Sequence, residues 1–286
     1  MRNGWWILVF LLVLAPLVVV TVWLSSRSQV ELAPILQAGL ILIATAVCQA
    51  LRREPMSAVI GRLDGRWMVE LILGALVGAC LMLVPALVLV LLGRVEWQRN
   101  PVDIAVLGSG GLTLLNAALA EELLFRGFAF QRLMAGLGAW PAQLIVGGFF
   151  LLIHLDNAGM TGSTALRAGA NIFLASLLLG MAFIRTRRLA LPIGVHFMAN
   201  FVQGCVLGFG VSGETQPRWL IPILDGPEWL TGGEFGLEAS LPGLVAVAAA
   251  TFLFYRYRWP DRSGPGFQPK KTPAGGRLPA SPIDDG

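Results

Sequence analysis

Residues 120–127 read AEELLFRG, with LGSGGLTLLNAAL before them and FAFQRLMAGLGAW after. Glu121, Glu122 and Arg126 thus sit inside an apolar segment of about thirty residues, where ionised groups are costly and usually mark function. Helical spacing sorts the three. Glu122 and Arg126 are four apart with the acid first, the favourable order for a pair on one helix face, and pairing spares Glu122 from standing as a lone buried charge. Glu121 is rotated by about 100° and has no partner on its own helix. Burial tunes such a carboxylate toward proton transfer. The reading is Glu121 as general base, braced by the Glu122–Arg126 pair.

The surrounding chain explains why an apolar segment is there at all. Of its 286 residues, 56% are hydrophobic and 13% charged, against about 25% charged in soluble domains. The composition indicates an integral membrane protein and argues against a nucleic-acid partner: the net charge of +4 reports arginines flanking membrane helices. The three cysteines, Cys48, Cys80 and Cys205, are scattered through apolar runs and suggest neither a disulfide framework nor a CxxC metal site.

Apolar runs of about 20 residues can cross a bilayer. About eight are present, near 5–24, 33–51, 68–93, 104–133, 141–157, 169–185, 192–211 and 240–257. The first is too long for a signal-peptide core and lacks an A-x-A cleavage site, so it reads as an anchored helix. With the N-terminus inside, fifteen Arg and Lys fall in cytoplasmic segments and five outside. This predicts an all-α, polytopic transmembrane bundle with both termini in the cytoplasm. Its expected parts are N-terminal transmembrane helices over 1–103, a catalytic core over 104–211, an outer loop and last helix over 212–258, and a disordered cytoplasmic tail over 259–286. Trp219 and Trp229 suit an interface-resting segment within the loop. Residues 52–67 suit the inner leaflet surface, with arginines near anionic lipid. Glu70 and Asp103, near helix starts, are expected to reach water.

Two further deep polar elements accompany the glutamates. FFLLIHLDN places Phe150 four before His154, and LPIGVHFMAN places Asn200 one turn after His196. These are the only two histidines of the chain. Each alone reads as an interhelical hydrogen-bonder, but together with the deep acids they form a candidate catalytic set on three helices. Asn171, in the sixth run, reads first as a helix contact. Two chemistries use the set. In one, Glu121 and His154 activate a water that attacks a peptide carbonyl, and His196 and Asn200 donate to the oxyanion. In the other, Glu121, His154 and His196 hold Zn²⁺ with an open position for water. HExxH is absent, and His196–Asn200 looks more like an oxyanion pair than a metal pair, so the metal-free version is favoured.

At these residues the chain resembles the CPBP family of intramembrane proteases, which includes the Rce1-type CAAX prenyl endopeptidases and bacterial Abi-type proteins. The family motifs EExxxR, FxxxH and HxxxN stand here as Glu121-Glu122-x-x-x-Arg126, Phe150-x-x-x-His154 and His196-x-x-x-Asn200, covering roughly 105–208. The resemblance implies an α-helical protease with its site in a cavity within the bilayer. It further implies that the first Glu and first His activate water, and that the last His and Asn hold the oxyanion. It does not settle the cofactor, since both metal-dependent and glutamate mechanisms have been described for the family.

Arginine far outnumbers lysine, a composition suggesting a high-GC bacterium and therefore a bacterial inner-membrane location. The prenylated eukaryotic substrate is accordingly not carried over. The expected partners are the lipid bilayer and a peptide or membrane-protein substrate. A non-catalytic immunity or scaffold protein and a proton-coupled transporter are the competing classes; the lack of an internal repeat counts against the transporter. His196 lies a few residues into its run and His154 about 13 into its own. The two meet only if the fifth helix starts earlier, tilts, or bends at Gly147-Gly148. This topology predicts a site that opens toward the cytoplasm.

Overall fold

A computed structural model describes residues 2–28 and 34–256; the tail expected over 259–286 lies outside the described residues. The protein is a helical bundle. Helices α1 (Arg2–Ser28), α2 (Pro34–Arg52), α4 (Gly65–Leu91), α8 (Gly162–Thr186) and the α5–α6 stretch (Ile104–Phe125 and Phe128–Leu137) are long and apolar enough to cross a membrane. The short α3 (Ser57–Ile60) precedes α4. Three shorter apolar helical segments complete the bundle: α7 (Ala139–Ile153), α9 (Ala190–Phe201) continued by a π-helical turn (Val202–Val206), and α11 (Leu241–Arg256). Strands β1 (Val95–Arg99) and β2 (Leu220–Leu224) pair antiparallel, Val95 opposite Leu224 and Arg99 opposite Leu220. The short α10 (Glu228–Thr231) follows β2. The chain is a multi-pass membrane protein.

The fourth apolar run is not the single helix expected over 104–133. It breaks at Arg126–Gly127, between α5 and α6. A side chain at Gly127 would drive into the Leu123 carbonyl, so glycine permits the sharp exit of the chain there. Arg126 closes α5, its N–H donating to the Glu122 carbonyl at 2.9 Å.

The fifth run also differs from expectation. Its helix begins at Ala139, stays helical through Gly147–Gly148, and ends at Ile153 rather than 157. At about 22 Å, α7 is shorter than a hydrocarbon core of about 30 Å. His154 therefore follows a helix end instead of lying mid-helix.

Close backbone approach fixes the helix that carries the last motif. Gly74 and Gly78 of α4 face α9, and Gly194 of α9 faces α4. A Cβ at any of the three would overlap a backbone carbonyl of the partner helix: Leu191, Val195 and Leu71 respectively. Small residues at such positions let membrane helices pack through their backbones. His196 and Asn200 are thereby held on a helix with little freedom to move.

The expectation that Glu70 reaches water needs correction. Glu70 is buried; Arg66 Nε donates to its Oε1 at 2.8 Å, and Arg188 approaches Oε2 at 3.9 Å. Arg188 also donates to the Arg62 carbonyl at 3.0 Å and pairs with Asp64, so the segment docks on the turn between α8 and α9. The loop 212–239 is not simply a solvated surface. Trp219 and Trp229 are each 48% exposed, but Thr231, Phe235, Leu237 and Ala239 are buried. Cys48 and Cys205 are buried and Cys80 exposed; all three are free thiols.

Candidate active site

The break after α5 sets the first part of the site. Arg126 and Glu122 are fully buried, and Nη1 of the guanidinium donates to Glu122 Oε1 at 3.0 Å. Its Nη2 donates to Ser176 of α8, at 2.8 Å to Oγ and 3.1 Å to the carbonyl. Arg126 also lies 5.0 Å above the Phe150 ring and 5.9 Å above Phe125. Pairing makes the burial of both charges tolerable, although Arg126 Nε and Glu122 Oε2 have no hydrogen-bond partner among the described residues. The expected Glu122–Arg126 pair forms.

His196 joins this brace from α9, its Nδ1 lying 2.8 Å from Glu122 Oε1. Arg126 shares that oxygen, so the oxygen acts as acceptor and Nδ1 carries the proton. The other nitrogen, Nε2, lies 3.7 Å from Glu121 Oε2, which has no hydrogen-bond partner. Glu121, without a partner on its own helix, thus faces His196 across the bundle. Its side chain is 29% exposed, whereas that of Glu122 is sealed. Two adjacent glutamates consequently occupy different environments, one neutralised and one free.

Phe150 organises the second motif. Its ring centroid lies 4.5 Å from that of His154 and 6.4 Å from that of His196, and it meets Phe125 edge-on at 5.0 Å. The spacing of four matters because it also brings His154 Nδ1 to 2.6 Å from the Phe150 carbonyl. A carbonyl only accepts, so Nδ1 bears the proton and Nε2 of the neutral ring keeps its lone pair.

Glu121, Phe150, His154, His196 and Asn200 line one cavity of about 360 Å³. Glu122 and Arg126 stand behind its wall. Val211, Ser212, Glu214, Gln216 and Glu238 also line the cavity, and no residue of 52–67, 126–140 or 185–190 does. The short α7 brings His154 to the site from a helix end.

Sequence reasoning missed Glu238 and Ser212 and undervalued Asn171. Ser212 Oγ donates to Glu238 Oε2 at 2.8 Å, and Gln203 Nε2 donates to Oε1 at 3.3 Å. Burial pushes the Glu238 carboxyl above its ordinary value, opposed by the Ser212 hydrogen bond and by His154 nearby. Glu238 lies in the segment expected to be an outer loop. The available signal was its flanking by Phe235, Leu237 and Ala239, an apolar setting for a carboxylate. Asn171 is 3% exposed and lines the cavity.

The residues proposed for Zn²⁺ meet the geometry poorly. Among the described residues, no three His, Cys, Asp or Glu side chains converge closely enough to share one ion. The Nδ1 contacts of His154 and His196 leave both Nε2 atoms uncommitted. No step below is routed through a metal.

Residues 103–202 match the family profile described as type II CAAX prenyl endopeptidase Rce1-like. The match contains Glu121, Glu122, Arg126, Phe150, His154, His196 and Asn200, and leaves out Ser212 and Glu238. No curated protein matches the chain significantly. At this level the match supports a CAAX-type intramembrane protease, that is, a peptide hydrolase.

Proposed function

From the Rce1-like character of residues 103–202, we propose that the chain hydrolyses a peptide bond of a peptide or membrane-protein substrate by a Glu121/His154-activated water, without a metal. The observation that carries this reading is the asymmetry of the two glutamates. Glu122 is sealed against Arg126, while Glu121 lines the cavity with both histidines and makes no hydrogen bond to the guanidinium. A carboxylate so placed accepts a proton.

Water entering the cavity is oriented by Glu121 and by the Nε2 lone pair of His154. As its oxygen attacks the substrate carbonyl carbon, Glu121 takes one proton. His196 Nε2–H and the Asn200 side-chain amide donate to the oxyanion. For that donation His196 carries both ring protons, with the Nδ1–H held by Glu122. Collapse of the tetrahedral intermediate breaks the C–N bond, and the proton from Glu121 passes to the leaving amine. The products are a carboxylic acid, which passes its remaining proton to the released amine to leave a carboxylate and an ammonium group, and Glu121 is regenerated as a carboxylate. General acid–base transfer of this kind contributes about 10²–10⁴-fold, and each preorganised oxyanion donor about 10²–10³-fold.

The deciding experiment compares membrane-protein termini in cells expressing the unaltered chain with those expressing Glu121→Ala at matched, folded levels. New termini are expected only with the unaltered chain, and their cleavage in a purified reaction is expected to survive a chelator. Identical termini in both, with any phenotype retained by the variant, would sink the hydrolase reading in favour of an immunity or scaffold role. Loss of cleavage on chelation, restored by Zn²⁺, would overturn the metal-free mechanism.

A further inference from the structure

The hydrolytic steps leave part of the cavity's charge unused. Three carboxylates line it, those of Glu121, Glu214 and Glu238, and no arginine or lysine does. Glu238 stands out because it is only partly exposed and yet receives only neutral donors, the Ser212 hydroxyl and the Gln203 amide. Among the described residues it makes no ion pair with a Lys or Arg. The charged or titratable groups facing it are His154 and His196, which the chemistry above already employs. A desolvated carboxylate without a cation is undercompensated.

A second observation points to a ligand at the same place. Asn171, 3% exposed, lines this cavity, and its Nδ2 has no hydrogen-bond partner. Unpaired buried amide donors are uncommon in native structures. The fold also brings the two groups to the same region. Arg167, one turn before Asn171 on α8, donates from Nε to the Ala239 carbonyl at 2.9 Å, which pins the turn bearing Glu238 against that face of α8.

We propose that Glu238 and Asn171 form a substrate subsite that selects a basic residue, lysine or arginine, near the scissile bond. Glu238 accepts from the cationic head in a charge-assisted hydrogen bond. Asn171 Nδ2–H donates to a backbone carbonyl of the same substrate segment. A site that leaves buried polar groups unpaired until the correct ligand arrives discriminates strongly against analogues lacking the matching group. Ser212 and Gln203 are positioning residues that hold the carboxylate toward the cavity. The proposal rests on the hydrolase reading for the identity of its ligand, though not for the binding itself.

The test separates the two. The full chain carrying Glu121→Ala is placed in phosphatidylcholine nanodiscs, so that neither cleavage nor an anionic lipid surface intervenes. It is titrated with a capped apolar pentapeptide bearing one central lysine and with its norleucine counterpart. The lysine peptide is expected to bind at least about 10-fold tighter. Adding Glu238→Gln is expected to reduce that ratio to about twofold or less, while Asn171→Leu weakens both peptides alike. Norleucine-peptide binding by the Glu238→Gln protein reports that the cavity is intact; should that variant fail to fold, the two-peptide comparison with Glu238 present still decides. Equal affinities there, or a lysine preference that survives Glu238→Gln, would overturn the proposal. Lysine-selective binding with no cleavage of this peptide or of membrane proteins by the unaltered chain would leave the subsite standing and remove the hydrolase reading. Cleavage without lysine selectivity would do the reverse.

Discussion

The Glu122 cluster and the Glu70 cluster are both built from a buried glutamate, an arginine four residues away and a third group from the α8–α9 region. They differ in what lies beside them. Around Glu122, both members of the pair are sealed, at 0% and 1% side-chain exposure, and the wall they form faces a cavity lined by two histidines. Around Glu70, the acid is buried but Arg66 is 38% exposed. Arg188 links this cluster to Asp64 and to the Arg62 carbonyl, and none of these residues lines the cavity. Buried charge alone therefore does not distinguish a working site from a structural clasp. An adjoining cavity does, together with an adjacent carboxylate, Glu121, left free of the local guanidinium.

The largest expected difference between the two clusters is in stability. Arg126→Ala strands Glu122 in a sealed environment and is expected to destabilise the fold by about 3–5 kcal/mol, as breaking a buried pair does. Arg66→Ala opens a pair already in contact with solvent, and Arg188 remains beside Glu70; about 1 kcal/mol or less is expected. Denaturation of both variants in one detergent, against the unaltered chain, checks this. Equal losses would erase the distinction between a sealed brace and an open clasp.

A second variant sharpens the comparison from the packing side. Gly78→Val places branched carbons where the Val195 carbonyl now sits, so α9 must move away from α4. Overpacking of this sort costs about 1–3 kcal/mol. Cleavage is expected to fall further than the stability loss accounts for, because His196 and Asn200 move with α9, whereas the Arg188–Asp64 contact lies beyond the near end of that helix. Activity measured at temperatures where the variant remains folded separates the two effects. Unchanged turnover would mean that α9 is not held in register by this contact.

The same contrast explains what the sequence made legible. The i, i+4 spacing of Glu122 and Arg126, of Phe150 and His154, and of His196 and Asn200 is local, and each pair occurs as that spacing implies, on or at the end of a helix. Helix ends were harder to read. Hydropathy ran unbroken through Gly127, yet the chain leaves α5 there for a steric reason that only the Leu123 carbonyl reveals. It ran past His154 as well, so the shortness of α7 went unseen. Glu70 looked close enough to a helix start to reach water, but Arg188, more than a hundred residues away, covers it. Glu238 was hidden for a related reason: a short acidic turn reads as solvated until the fold of 212–239 lays it over the cavity.

Asp64 supplies the smallest effect and a check of sign. Its carboxylate accepts from the Arg188 guanidinium and from the Trp67 backbone N–H at 3.0 Å, and the Arg188 hydrogen bond, with the backbone one second, lowers its pKa from 3.8 to about 2. A depressed folded-state value means that the ionised group favours folding. That contribution is complete above about pH 4, diminishes as pH falls toward 2, and is absent below. Asp64→Asn keeps a good N-cap acceptor for α4 and removes the charge. A small drop in melting midpoint is expected at pH 7, because Asp64 is exposed and exposed pairs contribute little. The gap between the variant and the unaltered chain is expected to close as pH is lowered from 4 to 2. A gap that stays constant across that range would show that the Asp64 charge does not stabilise the clasp. Its contribution would then be the helix cap, leaving Glu70 and its two arginines to hold the clasp by themselves.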